Sequence, residues 1–449
     1  MQSTQSVYQM KVKVHGDIMI EEKEYGNPHK QGAKAIVDKQ SSCGGRIILN
    51  NVLVHGNLID FDYSVSHELK EFFAKDTHFF YEYLFDVDLT DVPKSILAVP
   101  FVMNLMPLIW LSNSTLVVDC LDKAFYESLE EIKKGFQRVY PKVSFEGQLL
   151  VETIEDNRYA TTGKSTIFFT GGVDATASLI NNLSENPEPF YILGADVNLS
   201  DVENIEAAQR DVSHILKGFG LKGKFIKSSI RFFYDGVRIT NAFESKLHDS
   251  WWHGAQHSIG MLSLMAPYAY LMHIDTCILA ASFTKEGEGK INCVSFPFID
   301  NALCFGSTHC YHDGYEMTRQ DKINLIADYV SKNKLTIQLR VCFSPHNGEN
   351  CNACEKCLRT ILSLTAAGAN PNHFGFRVNH QVYMQAHEYL STHLLYHTAH
   401  WKAIRSEFRK NKKKWKDNPD VSWILDIQFN NIHIYWRIIK NKLKRLLKK

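Results

Sequence analysis

Apolar and polar positions follow different rules on either side of residue 160. Upstream, short strand-like runs at 46–54, 58–63 and 79–87 are separated by turn signals. The stretch 96–111, ILAVPFVMNLMPLIWL, is the most apolar of the chain. It is too short, and too interrupted by Pro100 and Pro107, for a membrane span, and it predicts a buried helix pair or a segment covering a sheet. Over 121–138, Phe125, Leu129, Ile132 and Phe136 fall on one face of an amphipathic helix. Residues 1–155 therefore read as an α+β domain without a chemistry of its own.

From 165 onward the texture changes. Apolar runs at 167–169, 190–197, 224–228 and 277–282 alternate with helical patterns at 175–183, 200–219 and 254–272. Such alternation predicts an α/β domain over 160–370, built on a parallel sheet with helices on both faces and ligands at the C-terminal strand ends. A further helix, 318–329, opens on Thr318 as its N-cap. Past 371 the chain is helical and increasingly basic, with a charge run at 409–416. Residues 432–449 form an amphipathic helix placing Trp436, Ile438, Ile439 and Leu443 among Lys and Arg. That helix suits an anionic membrane surface, an acidic partner, or the face of its own protein.

Composition narrows the classes. The 449 residues suffice for several cores, and 50 basic against 49 acidic side chains give nothing that favours nucleic acid. The N-terminus lacks the apolar run of a secretory signal. Of the 10 cysteines, Cys342, Cys351, Cys354 and Cys357 cluster and the rest scatter, which suits a reducing cytoplasm and one metal site better than a disulfide framework.

Two motifs carry chemistry. The first is Thr170-Gly171-Gly172-Val173-Asp174, a tight turn between the strand-like 167–169 and a helix. Main-chain N–H groups in such a turn, together with the helix N-terminus, favour an anion. The glycines let the backbone approach a phosphate, Thr170 offers a hydroxyl, and Asp174 can hold Mg²⁺ or cap the helix. A plain strand-to-helix turn is the alternative. Gly163-Lys164-Ser165 imitates the end of a Walker A loop, but Arg158 stands where its first glycine belongs and it precedes the strand. The second motif is Cys342, Cys351, Cys354 and Cys357. Two-residue gaps turn successive thiolates inward and an upstream thiolate closes a tetrahedron, which fits a structural Zn²⁺; an iron–sulfur cluster is the rival and free thiols the third reading.

The Gly-Gly turn resembles the PP-loop of the ATP pyrophosphatase superfamily, Ser-Gly-Gly-x-Asp-Ser. Thr170 replaces the first serine and Ala175 the last, with Thr176 placed to supply the missing hydroxyl. Thr318-Arg319-Gln320-Asp321 resembles the Thr/Ser-Lys-x-Glu-Ile segment of such enzymes, with Arg319 for the phosphate-facing lysine. The PP-loop followed by the cysteine set and Arg359 resembles the 7-cyano-7-deazaguanine synthase family over roughly 165–368, with Asn352 in place of a usual glycine.

The resemblance implies an adenine nucleotide alpha-hydrolase-like sheet that binds ATP at Thr170, Gly171, Gly172, Val173, Asp174 and Thr176. It also implies Mg²⁺, Zn²⁺ on the four cysteines, and Asp174 and Arg319 acting in catalysis. ATP would yield AMP and pyrophosphate while a carboxylate or amide is adenylated, and an amine or ammonia would then displace AMP. A homo-oligomer is expected. Two alternatives keep the fold: a relative that joins a small molecule to a partner protein, as in a defence system, and a degenerate nucleotide-binding module. Sulfur transfer to tRNA would want a redox-active cysteine pair near the loop and a broadly basic face, which the sequence lacks. His253, at the start of the 254–272 pattern, is a pocket candidate or a structural histidine. His309-Cys310-Tyr311-His312-Asp313 is a weak metal candidate. No Ser/His/Asp or Cys/His set stands out.

Overall fold

The computed structural model describes residues 9–12, 18–21, 44–342, 348–393, 398–427 and 429. Strands β1 (Gln9–Val12) and β2 (Ile18–Glu21) pair antiparallel within the unit Met1–Ser42. The expected amphipathic helix at 432–449 lies outside the described residues.

The unit Cys43–Lys449 is organised on one mixed, mostly parallel sheet of 11 strands. Its strands are β3 (Arg46–His55), β4 (Leu58–Val65), β5 (Phe80–Tyr83), β6 (Thr115–Asp122), β7 (Gln148–Glu155), β8 (Ser165–Phe168), β9 (Glu188–Leu193), β10 (Lys224–Ser228), β11 (Thr276–Ala280), β12 (Cys304–Phe305) and β13 (Thr308–Asp313). The order across the sheet is β12-β13-β11-β8-β9-β10-β5-β4-β3-β6-β7. β13, β11, β8, β9 and β10 are mutually parallel. β10 then pairs antiparallel with β5, so the strands before and after residue 160 share one sheet.

Within the parallel part β8 is central. The chain moves from it through β9 to β10 on one side, then returns to β11 and β13 on the other. The order therefore reverses between β8 and β11, and a crevice opens at that point beyond the C-terminal strand ends. β8 is buried throughout, as a strand covered on both faces must be. The turn Phe169–Gly172 leaves β8 at this crevice, and the helix Val173–Asn182 begins directly after it.

The apolar stretch 96–111 forms the helices Lys94–Leu97 and Val99–Ser112, the second buried at every residue, with Pro107 inside it. The amphipathic helix begins at Lys123, because Asp122 accepts from Phe125 N and caps it. The 254–272 pattern is not one helix. A π-helical turn, Trp252–Gln256, leads into His257–Ser263, and a separate helix, Ala266–Met272, carries Pro267 in its first turn, where a missing N–H is tolerated. No helix among the described residues is long and apolar enough to cross a membrane.

Asp122 joins three parts of this architecture. Fully buried, it caps Lys123–Val139, accepts from Gly306 N at 2.9 Å and accepts from Asn157 Nδ2 at 3.0 Å. Removing the carboxylate takes an acceptor from donors on three segments, the Phe125 and Gly306 N–H groups among them buried. Asp122→Ala is expected to lower unfolding stability by about 2–4 kcal/mol, read as a reduced urea midpoint with unchanged slope. A shift within error would show that these donors find other partners.

Candidate functional site

Gly171 adopts a left-handed φ of +75°, and a Cβ there would lie 2.8 Å from Ile215 Cδ1, so the turn requires glycine. Gly172 is the N-cap of Val173–Asn182 and has no side chain to cap it. The first-turn N–H groups thus face the crevice with the partial positive charge of a helix start. Thr170 is exposed, and its hydroxyl accepts from Gly172 N at 3.3 Å. Val173 is buried against the neighbouring core. Thr176 is fully buried, one turn along the helix, and its hydroxyl has no protein partner.

Asp174 meets two cations from the helix Arg319–Lys332. Arg319 Nη1 lies 2.7 Å from one carboxylate oxygen and Lys322 Nζ 3.1 Å from the other. Lys322 also donates to the carbonyl of Ala281, just beyond β11. Burial pushes the Asp174 carboxyl up, but Arg319 and Lys322 together hold it below the usual range. The helix is fixed by a reciprocal cap: Thr318 Oγ1 accepts from Asp321 N, and Asp321 accepts from Thr318 N.

Two more cations come from the helix Glu355–Ala366. Burial, reinforced by Arg319, pushes the Lys356 ammonium down. The same two causes push Arg359 down to about 10. Arg359 is 6 % exposed and its Nε has no partner. From the other side, Arg340 N donates to Gly171 O at 2.8 Å and Arg340 Nη1 to Thr170 O at 3.2 Å, tying the turn to the segment that leads into Cys342.

The four cysteines of the second motif converge. Their sulfurs all lie within 4.8 Å of one another, with Cys342 to Cys354 at 4.0 Å and Cys351 to Cys357 at 3.8 Å. A tetrahedron with metal–sulfur bonds of about 2.3 Å has edges of roughly 3.8 Å, so the set fits a single ion such as zinc. Thiolates on separate irons of a cluster would stand farther apart. Cys351 Sγ accepts from Ala353 N at 3.4 Å and from Cys354 N at 3.2 Å, as a sulfur on a backbone knuckle does. Asn352 takes a left-handed φ of +56°, a conformation that asparagine adopts more readily than most residues. Cys354 is the N-cap of Glu355–Ala366, so the knuckle and the two cations belong to one element.

The structure thus brings Asp174 and Arg319 together beside the turn and gathers the four cysteines. Lys322, Lys356 and Arg340 were missed by sequence reasoning. Lys322 was findable, because it follows Arg319 by three residues and shares its helix face. Arg340 and Lys356 carry no such signal. His253 pairs with Asp249, and His309 and His312 do not share a ligand site: His312 bonds Asp300 at 2.7 Å and His309 lies 3.4 Å from Cys304.

No family model matches the chain, and comparison with curated proteins and with solved structures returns no match.

The pH dependence of Asp174 follows from its ion pairs. With a folded pKa below the unfolded value of about 4, the carboxylate contributes stability that is fully present above that value and lost as pH falls through the folded one. Asp174→Asn is therefore expected to flatten the acid limb of the unfolding midpoint plotted against pH; an unchanged limb would refute the ion pairing. For the cysteine set, purified protein is expected to carry about one zinc ion per chain by elemental analysis. Cys342→Ser or Cys357→Ser is expected to abolish it and lower the melting temperature. Retention of zinc in either variant would remove that cysteine from the ligand set.

Proposed function

We propose that the chain is an ATP-dependent adenylating enzyme, in which a carboxylate or amide oxygen attacks the α-phosphate of Mg-ATP and an amine or ammonia then displaces AMP. The observation that carries this reading is the charge around the turn. Arg319, Lys322, Lys356 and Arg359 surround Asp174 at an uncapped helix start, and two of them are disfavoured as cations by burial and by Arg319. A polyphosphate relieves that repulsion.

Each residue has a role in this scheme. Phosphate oxygens would take Arg319 and Lys322 from Asp174, leaving its carboxylate to hold Mg²⁺. The main-chain N–H groups after Gly171 would receive the departing pyrophosphate. Thr170 and Thr176 are the hydroxyls of the cradle. Positioning and charge stabilisation suffice for this chemistry, without a side-chain nucleophile in the adenylation step. The four cysteines would hold zinc as a structural ion, with every ligand position filled by protein.

Pyrophosphate release from Mg-ATP, across pools of small carboxylates, amides and amines, tests the reading. Release by the wild-type protein is expected to disappear in Asp174→Ala and to fall by about 10²–10³-fold in Arg319→Ala or Lys322→Ala. Absence of release in every pool, with ATP still bound, would refute adenylation and leave a nucleotide-binding module.

A further inference from the structure

The crevice has a second wall, built on the π-helical turn Trp252–Gln256, which meets the C-terminal edge of the sheet at two places. Beyond β10, Gln256 Nε2 donates to Ile230 O at 2.7 Å, and the guanidinium of the next residue, Arg231, stands 5.4 Å over the ring of Trp252. Beyond β11, the ring of Phe283 packs 5.7 Å from that of His253. Phe283 is two residues past Ala281, whose carbonyl receives Lys322. β8 and β9 lie between β11 and β10 in the sheet, so the π-turn spans the ends of the strand that carries the Gly171–Gly172 turn and of its neighbour.

Arg231 is exposed and yet fixed in place. Its Nη1 donates to Ala195 O at 3.1 Å, two residues beyond the end of β9, and the indole of Trp252 covers it. β9 pairs with β8, so the guanidinium is delivered beside the strand that bears the turn. The bond to Ala195 occupies one of five N–H donors, and among the described residues Arg231 has no carboxylate partner. The other cations of the crevice differ in this respect: Arg319 and Lys322 pair with Asp174, and Arg340 with Asp211. On the same indole, His257 packs edge-on at 5.4 Å, and its Nδ1 is buried without a protein partner. Burial, with His253 nearby, pushes the His257 imidazole down to about 4, so it is neutral.

An unspent, oriented guanidinium fork matches the two oxygens of a carboxylate. Chemistry at the turn calls for such a partner. An acid that attacks the α-phosphate is itself an anion, and the polyphosphate it approaches repels it. The cations that meet the phosphates come from the helices Arg319–Lys332 and Glu355–Ala366. Arg231 comes from neither helix, so it is free to hold a second anion against that repulsion.

Building on the adenylation reading, we propose that Arg231, held by Ala195 O and Trp252, binds the carboxylate that is adenylated, so that the substrate activated by ATP is a carboxylic acid and not an amide. The guanidinium takes the carboxylate oxygens as the acid binds. One of these oxygens then forms the bond to the α-phosphorus. The bond from that phosphorus to the bridging oxygen breaks, and pyrophosphate leaves with the electron pair. No proton, oxidant or reductant takes part in this step. A neutral amide gains less from the fork and meets no such repulsion, so it has no need of Arg231.

Labelling of the full chain with phenylglyoxal, an arginine reagent, tests the site without reference to turnover. Modification is read peptide by peptide by mass spectrometry, with benzoate and succinate as probes and benzamide and succinamide as neutral controls. The acids are expected to slow modification of Arg231 at least about fivefold, and the amides to leave it unchanged. Protection by neither acid, or equally by the amides, would overturn the proposal. The role in turnover is read from pyrophosphate release with Mg-ATP and pools of small carboxylic acids or of amides. In Arg231→Lys and Arg231→Gln, the half-saturating concentration of the stimulating acid is expected to rise at least about tenfold while that of ATP stays at the wild-type value. A merely structural role would move both, and circular dichroism checks the fold of each variant. An unchanged half-saturation for the acid, or stimulation by amides alone, would overturn the role of Arg231 while adenylation stands. A wild type that releases no pyrophosphate would refute adenylation, and this proposal with it.

Discussion

Like charges held at close range are the constraint on which the site depends. Arg319, Lys322, Lys356 and Arg359 gather around Asp174, and the helix start behind the turn adds further positive potential. Such an arrangement persists only where the surrounding structure imposes it. Two devices do so. The reciprocal Thr318–Asp321 cap sets the start of Arg319–Lys332, and the cysteine knuckle sets the start of Glu355–Ala366. Cys354 and Cys357 bracket Lys356, so an ion held on the cysteines would fix the direction from which that ammonium and Arg359 reach the turn. Such an ion would aim the two cations through the helix it anchors.

The same segment closes the geometry from below. Arg340 binds the turn through both its backbone and its guanidinium, two residues before Cys342. Asn350, one residue before Cys351, accepts from Val341 N at 3.2 Å and donates to Leu339 O at 2.7 Å. Turn, arginine and knuckle are consecutive links of one hydrogen-bonded path, which explains why two motifs some 170 residues apart in the chain occupy one region of the fold.

Much of this was legible before the structure was known, and the parts that were not share a cause. The strand–turn–helix at β8, the alternation that follows it, the Thr318 cap and the cysteine convergence are local patterns with a fixed physical period or spacing. Asp174 meeting Arg319 needed only the motif and its expected helix. The antiparallel join of β10 to β5, which carries the sheet on through β4 and β3, has no local signature: it pairs segments separated by about 140 residues. The contact of Val294 N with His253 O was invisible for the same reason. It joins residues 41 apart in the chain, one of them in a stretch without regular structure.

The break in the 254–272 pattern shows how a local irregularity makes such a pairing. Apolar periodicity over these residues favours one long helix. Tyr140, from the other side of the core, donates to Gly254 O, and a Cβ at Gly254 would crowd Tyr140 Oη at 3.1 Å. The carbonyl is thus engaged by a side chain at the start of the pattern, where the chain winds as a π-turn, a form found mostly as short insertions and often at functional positions. That winding holds His253 against Asp249 four residues earlier while its own carbonyl accepts from the Cys293 segment. A regular helix begun at the same residues would have used that carbonyl for its own ladder. Glycine at 254 therefore lets Tyr140 approach, and Tyr140 in turn sustains the geometry in which Asp249 and the Val294 segment both meet His253.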